Sequence, residues 1–484
     1  MKKKFLITTP IYYVNDKPHI GHAFTTLAAD ILTRYLKSKG FEVFFLTGTD
    51  EHGAKIAQTA EKLEIDPKQF CDENSKLFKN TWKNLNINYT HFIRTTDKVH
   101  KETVNAFLKK LQEKKAVYEK EYKGIYCIGC EKFLTKKELV DGKCPDHKTK
   151  PEEISEKNYF FKLKDYLKQV ENLIKKDELE IRPDYAKKET LGLFKQKLND
   201  FSISRQKEKV KWGIELPFDK DQITYVWIDA LLNYITGDGS EEFNKYWKEG
   251  QVIHLLAKDI LKFHAIFWPA MLLAIDHKIP NKEFIHGFFT INGQKMSKTL
   301  ENIIDPNNMI KKFGVDATRY LLVSQFPFGQ DGDIKEDRFI EKYNADLANG
   351  LGNLVSRVLK LAIKNNIKPL ESISNKEFLE KIKNTKDKYK QNIETFKLYK
   401  ALKEIWKLIS FCDSYIEKNK PWKLIERNKT QNTVTKQKLE KILGNLLYCI
   451  KEIADLIEPF LPETSEKIKD QLKSKKSKIL FPRM

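Results

Sequence analysis

Pro18-His19-Ile20-Gly21-His22 decides how this chain is read. Upstream, Phe5 to Thr9 is apolar and β-branched and predicts a strand. Asn15-Asp16-Lys17-Pro18 then predicts a turn, with Asn15 or Asp16 as N-cap and Pro18 at the first helical position. Downstream, Phe24, Leu27, Ile31 and Tyr35 recur at three- and four-residue spacing, which predicts a helix with one core-facing side. The pentapeptide therefore lies where a first strand passes into a first helix. A helix start offers unbonded N–H groups and partial positive charge to an anion, and Gly21 lets a nucleotide come close. The same five residues also fit an ordinary capped helix that happens to carry two histidines.

The chain has 484 residues, which at ~100 to 200 residues per domain predicts about three or four domains. Lys plus Arg number 88 against 67 Asp plus Glu, a net charge of +21. That balance suits a polyanion such as nucleic acid, although lysine richness also arises as a compositional bias. No run approaches the ~20 apolar residues of a membrane span, and Met1-Lys2-Lys3-Lys4 leads into a strand rather than a signal-peptide core. A cytoplasmic location is predicted. Of six cysteines, those at 127, 130 and 144 cluster while those at 71, 412 and 449 are scattered, a pattern of a metal site plus isolated thiols rather than a disulfide framework.

Further along, Phe41 to Thr47 predicts a second strand, ending in Gly48-Thr49-Asp50-Glu51-His52-Gly53. Open α/β sheets bind ligands at such strand ends, though Asp50 also fits a plain helix cap. Asp97 to Lys115 predicts a helix with Val99, Val104, Phe107 and Leu111 on one side, and the alternation of strand and helix predicts a doubly wound domain. The alternation stops between Ala116 and Pro217, which reads as an insertion with short strands near Gly124 to Ile128 and Tyr159 to Leu163. Inside it, Cys127-x2-Cys130 and Cys144-x2-His147 offer three thiolates and one imidazole at the spacing of facing knuckles, so a closed, structural Zn²⁺ site is predicted. Val252 to Leu256 predicts another strand leading to Lys258-Asp259. The aromatic helical face Ile260, Phe263, His264, Phe267, Trp268 that follows fits either core or a pocket shared with Tyr13 and Trp227. Phe284 to Thr290 then leads to Gly293-Gln294-Lys295-Met296-Ser297-Lys298-Thr299, a cationic loop able to follow phosphates. From about Glu341 three apolar stripes, around Leu347 to Leu361, Phe396 to Cys412 and Leu439 to Ile457, predict a helical bundle.

His-Ile-Gly-His resembles the HIGH signature of class I aminoacyl-tRNA synthetases, and Lys295 to Thr299, in the right order after it, resembles their KMSKS loop. Over essentially its full length the chain is similar to the methionyl branch of that class. The matches run through Thr9-Pro10-Ile11-Tyr12-Tyr13, the cysteine cluster, Phe201-Ser202-Ile203-Ser204-Arg205, Tyr225-Val226-Trp227-Ile228-Asp229-Ala230, Lys258-Asp259-Ile260, Phe267-Trp268-Pro269-Ala270-Met271, Asn353-Leu354-Val355-Ser356-Arg357 and Pro421-Trp422. The resemblance implies a doubly wound Rossmann-type α/β catalytic domain with a zinc-knuckle connective insertion, followed by an all-α anticodon-binding bundle. The expected spans are 1–115 and 218–280 for the two catalytic halves, 116–217 for the insertion, 281–340 for the KMSKS region and 341–484 for the bundle.

The resemblance also implies roles. Asp50, with the backbone of Ile11 and with His52 nearby, would bind the methionine α-ammonium, and Arg205 would support the carboxylate. Tyr13, Trp227, Ala230, Leu231, Tyr234, Ile260, His264 and Trp268 would enclose the thioether, a polarizable group that favours aromatic neighbours, with Tyr13 and His264 as hydrogen-bond donors to sulfur. Homocysteine rejection is expected to be difficult, since a methylene is worth only ~1 to 3 kcal/mol. His19, Gly21, His22, Asp259, Lys295 and Lys298 would bind ATP, which carries Mg²⁺, and the two histidines with the two lysines would stabilise the reacting phosphates. Asn353, Arg357 and Trp422 would read the anticodon of initiator and elongator tRNA(Met), although Trp422 fits a buried helix anchor equally well. Three departures are visible: Thr299 in place of the usual final Ser, Ala257 where Gly commonly precedes Lys-Asp, and Asp16 in the turn. Because the chain stops near the bundle, a monomer is predicted. Competing readings are a non-catalytic RNA-binding paralogue, a nucleotidyltransferase that uses no tRNA, and a class I enzyme for Cys, Ile, Leu or Val.

Overall fold

The Lys4–Tyr13 strand runs past its predicted end and carries the chain to the edge of a crevice. It belongs to a computed structural model that describes residues 2–127, 132–134, 138–145, 148–291, 293–296, 302–427 and 433–484. These fall into two units, one of residues 1–18, 36–83 and 87–286, the other of 19–35, 84–86 and 287–484.

In the first unit six parallel strands form one sheet in the spatial order His91–Arg94, Glu42–Asp50, Lys4–Tyr13, Gln251–Ala257, Lys282–His286, Glu180–Arg182. The central strands are buried along nearly their whole length, as expected of a parallel sheet covered on both faces, and so show little polar–apolar alternation. Lys4–Tyr13 and Gln251–Ala257 are neighbours despite their separation in sequence, so the winding reverses between them. The crevice beyond their carboxyl ends is the place where doubly wound sheets bind ligands. Gly48 is required by close approach to the edge strand, because a Cβ there would lie 2.0 Å from the Ile93 carbonyl oxygen. One polar row crosses the sheet interior. Register pairs Thr8 with His254 and His254 with Glu283, Thr8 Oγ1 lies 2.6 Å from His254 Nδ1, and all three residues are fully buried.

The span 116–217 is not a simple excursion from the sheet. Glu180–Arg182, within it, pairs with Lys282–His286 as the sheet's last strand. The rest builds a four-stranded antiparallel sheet around Val117–Cys127 and Glu152–Phe161, and a three-stranded one of Ser204–Gln206, Glu215–Leu216 and Asp219–Thr224.

In the second unit, Phe289–Ile291 pairs antiparallel with Gln294–Lys295 and parallel with Gly332–Ile334. The predicted strand Phe284 to Thr290 is thus two strands, broken at Gly287, where a Cβ would meet the Gln330 backbone at 2.3 Å. Helix begins at Glu336, slightly earlier than predicted, widens to π-helical geometry over Tyr343–Gly352, and continues as Asn353–Lys364. The helices Lys376–Glu394, Leu398–Asn419, Thr433–Ile457 and Pro462–Ser474 complete the bundle, and the three predicted apolar stripes supply its buried side chains. Arg319 is fully buried. Its guanidinium donates to Asp30 Oδ2 at 2.7 Å, to the Pro459 and Phe460 carbonyls at 3.0 and 2.8 Å, and to the Leu85 carbonyl at 3.0 Å. Asp30 lies on the helix Ile20–Ser38, so this one side chain fastens that helix to the turn between the last two helices.

Candidate active site

The predicted turn caps are not used. The helix starts at Ile20, which puts Pro18 ahead of it and makes His19 the residue before its first turn. His19 Nδ1 accepts the Gly21 N–H at 3.0 Å, and His22 Nδ1 accepts the His19 N–H at 3.3 Å. This is the reciprocal geometry of a capping box, built from two imidazoles instead of Ser and Glu. The rings stack with centroids 3.7 Å apart. Because each Nδ1 is an acceptor, each neutral ring carries its hydrogen on Nε2, a donor suited to a phosphate oxygen. Burial, and then His19, pushes His22 well below the ordinary histidine range, so His22 offers a hydrogen bond rather than a positive charge. A Cβ on Gly21 would lie 2.8 Å from His19 Cε1 and 3.6 Å from Met296 Cε. The two signature segments therefore meet at Gly21. Lys295 is placed on its hairpin strand opposite Thr290, and Asp333 Oδ1 pins the hairpin by accepting the Gly293 N–H at 2.7 Å and the Thr290 hydroxyl at 3.0 Å. Lys298 and Thr299 lie outside the described residues.

In the first unit, Leu231, Tyr234, Trp268 and the partly buried Ile11, Trp227, Ile260 and Phe263 belong to one apolar cluster. Trp227 stacks on Phe263 at 4.1 Å with 9° between the ring planes. Phe263–Phe267 is a single π-helical turn, a feature common at functional sites, and it carries His264. His264 Nδ1 lies 3.0 Å from the Ile260 carbonyl, which can only accept, so the ring hydrogen is on Nδ1. Nε2 then accepts the Tyr234 hydroxyl at 2.9 Å. Burial holds His264 down to about 4, so the ring is neutral at pH 7. Both nitrogens are committed, and in this arrangement His264 has no N–H for sulfur. The expectation that His264 donates to the thioether does not fit this arrangement.

Asp50 ends its strand beside Tyr13, and its carbonyl accepts the Val14 N–H at 3.2 Å. The loop after it is held from several sides. Glu51 accepts from Arg94 Nε at 2.7 Å, from Thr96 Oγ1 at 2.6 Å and from Thr49 Oγ1 at 2.7 Å. Trp212 Nε1 donates to the Glu51 carbonyl at 2.5 Å, and the Trp212 carbonyl accepts the Gly53 N–H at 3.0 Å. His52 Nδ1 lies 2.7 Å from Asp229 Oδ2. Arg205 lies over the Tyr225 ring at 4.0 Å, donates to Ser202 Oγ and the Ser204 carbonyl, and lines one cavity with His52 and Trp212. Trp212 was missed in the sequence, where only its place near Gly213 hinted at a turn. Asp259 is exposed, and Ala257 has φ −80°, a conformation open to any residue, so Ala in place of Gly brings no backbone strain there.

Cys127 and Cys144 are buried together with Leu134, while Cys130 and His147 lie outside the described residues. Among the described residues no group of three or more His, Cys, Asp or Glu side chains is arranged to hold a metal ion. In the bundle, Arg357 lies over the half-buried Trp422 ring at 4.7 Å and pairs with Glu417 at 2.8 Å, with the exposed Asn353 one turn earlier on the same helix. No helix among the described residues is long and apolar enough to cross a membrane.

Residues 5–153 and 147–359 match the family model of class I tRNA synthetases (M), and residues 375–483 match the anticodon-binding domain of tRNA ligases. A methionine–tRNA ligase of Caldanaerobacter subterraneus subsp. tengcongensis is 41% identical over 98% of this chain and 74% of its own length. One from Thermotoga maritima is 41% identical over 96% of this chain and 74% of its own, and one from Nostoc sp. is 40% identical over 97% and 90%. Among solved structures, Mycobacterium tuberculosis methionyl-tRNA synthetase in complex with methionyl-adenylate superposes with a TM-score of 0.91 at 33% identity, covering 97% of this chain and 94% of that one.

Proposed function

The chain belongs to the methionine–tRNA ligases of class I, with a parallel-sheet catalytic region and a C-terminal helical anticodon domain, and on that premise we propose how its own residues carry the reaction. The activity is activation of methionine with ATP to methionyl-adenylate and pyrophosphate, followed by transfer of methionine to tRNA. Asp50 binds the α-ammonium together with the Ile11 backbone. Arg205, kept in place by Tyr225 and Ser202, supports the carboxylate end, and His52 orders the loop between them. Tyr13, Trp227, Ala230, Leu231, Tyr234, Ile260, His264 and Trp268 enclose the thioether, and Asp259 binds the ribose of ATP.

The methionine carboxylate attacks the α-phosphorus in line and pyrophosphate leaves. No protein nucleophile takes part, so the rate comes from positioning and charge stabilisation. His19 and His22 donate from Nε2 to phosphate oxygens, Gly21 lies against the adenine, and Lys295 and Lys298 neutralise the departing pyrophosphate. ATP arrives with Mg²⁺ as part of the substrate. The 2′-hydroxyl of the terminal adenosine then attacks the adenylate carbonyl and AMP leaves. Asn353, Arg357 and Trp422 read the anticodon of tRNA(Met), initiator and elongator alike, by stacking and hydrogen bonding.

Cys127 and Cys144, both buried in one small cluster, are suited to thiolate ligation, and with Cys130 and His147 they would hold a Zn²⁺ that stabilises the fold locally. We further propose a cytoplasmic location. The observation that carries the catalytic assignment is the capping box of two histidines meeting Met296 at Gly21. Methionine-dependent exchange of labelled pyrophosphate into ATP tests it. Exchange is expected with methionine alone among the amino acids, and its absence with Zn²⁺ and Mg²⁺ supplied would overturn the assignment.

A further inference from the structure

Asp229 lies in the helix Val226–Leu231, which also presents Trp227, Ala230 and Leu231, yet its carboxylate faces away from that apolar task. Oδ2 lies 2.7 Å from His52 Nδ1 on the loop after Asp50, and Oδ1 lies 2.7 Å from His100 Nε2 on the helix Lys98–Glu113. All three residues are at most 3% exposed. Burial alone would push the Asp229 carboxyl up, yet the facing His52 and His100 rings hold it down at about 2. It is therefore ionised, accepts only, and requires a hydrogen on both facing nitrogens. His100 makes a second contact. Its Nδ1 lies 3.2 Å from the Thr236 hydroxyl, which also lies 2.8 Å from the Leu232 carbonyl, so with its Nε2–H given to Asp229 the ring has a hydroxyl within reach of its other nitrogen.

We propose that Asp229 is a positioning residue for methionine activation, tying the loop that follows Asp50 to the helix that lines the thioether pocket, with the helix Lys98–Glu113 anchoring the tie through His100. An unpaired carboxylate at this depth would be costly. Facing N–H groups from both rings, Asp229 is satisfied at both oxygens, and His52 is held with its hydrogen on Nδ1. The ammonium-binding loop and the thioether-binding helix, which come from distant parts of the chain, are then placed relative to one another by one fully satisfied buried cluster rather than by apolar packing alone. Loss of the tie lets the loop shift against the helix. Ground state and transition state share that loss, because the α-ammonium is bound in both, so it falls on KM rather than on kcat.

The proposal rests on the methionine-activation reading, and its test separates the two. In pyrophosphate exchange, Asp229→Asn is expected to raise KM for methionine about tenfold or more while kcat stays within about threefold and KM for ATP is unchanged. A fall in kcat with methionine KM unchanged, or no change in either, would overturn the positioning role. The tie is read in the unaltered protein by ¹⁵N NMR of its ten histidines at pH 7.5. The His52 ring is assigned by its loss in His52→Gln, or by its nuclear Overhauser contact to the Trp212 ring should that variant not fold. A hydrogen on Nδ1 of His52 is expected, and a bare Nδ1 would overturn the tie to Asp229. If the unaltered protein shows no methionine-dependent exchange at all, the parent reading has failed, whereas the ring nitrogens report on the cluster whatever the substrate.

Discussion

Glu283 is a carboxyl with no business in the middle of a parallel sheet, and replacing it with glutamine should make the protein more stable as pH rises. It is fully buried in the row with His254 and Thr8, and neither carboxyl oxygen has a hydrogen-bond partner among the described residues. Burial pushes its carboxyl from the ordinary 4.5 up to about 8. Unfolded chains release this proton above about 4.5, whereas the folded protein keeps it until about 8. Between those values the native state binds one more proton than the unfolded state, so this group lowers stability by about 1.4 kcal/mol for each pH unit gained. At pH 7 the penalty relative to acid pH is about 3 kcal/mol, and it levels off near 5 kcal/mol above pH 8. Glu283→Gln keeps the shape and removes the titration. Urea unfolding followed by tryptophan fluorescence is informative because the Trp247 ring lies 6.1 Å from His254 in the same row. Measured at pH 5.5, 6.5 and 7.5, the variant should gain on the parent by about 1.4 kcal/mol per unit. Parallel pH profiles for the two proteins would refute the argument, because they would mean that Glu283 is ionised in the fold or that its burial costs nothing.

Other outcomes are expected from the site. His22→Ala removes a phosphate donor and half of the capping box. Its kcat for pyrophosphate exchange should fall about 10²-fold or more with about 1 kcal/mol of stability lost, and an unchanged kcat would remove the assigned role. Trp422→Ala should weaken tRNA charging and leave pyrophosphate exchange alone, whereas parallel loss of both would make Trp422 a structural anchor. Cys144→Ser should abolish stoichiometric zinc, measured by atomic absorption on the purified chain, and lower the melting temperature; full zinc content in the variant would remove Cys144 from the ligand set.

The parallel sheet was legible because its strands are apolar runs ended by polar residues at the ligand-binding edge, as at Gly48 to Gly53. The aromatics of the apolar cluster, Trp227, Tyr234 and Trp268 among them, were legible through motif order. The helix cap was not, because histidine has no standing as a capping residue and only its Nδ1 lone pair makes it one. Glu180–Arg182 was missed since three residues carry no period, and its place at the sheet edge comes from pairing with a strand about a hundred residues later. His100 sat within a predicted apolar helix face, one turn before Val104, and nothing local marked it as the partner of an aspartate 129 positions away. The committed Nδ1 of His264 depends on a π-helical turn, which no apolar spacing announces.

Arg319 gives the helix that opens on His19 an unusual dependency. At one end that helix is shaped by its two histidines; near its middle, Asp30 is tied through one guanidinium to the carbonyls of Pro459 and Phe460. Unzipping the helices Thr433–Ile457 and Pro462–Ser474 would strip Arg319 of two acceptors and leave a buried ion pair half satisfied, so those two helices and the helix Ile20–Ser38 should open as a single hydrogen-exchange event. A nick in the turn that carries Pro459 and Phe460 would then be felt along the helix that opens on His19.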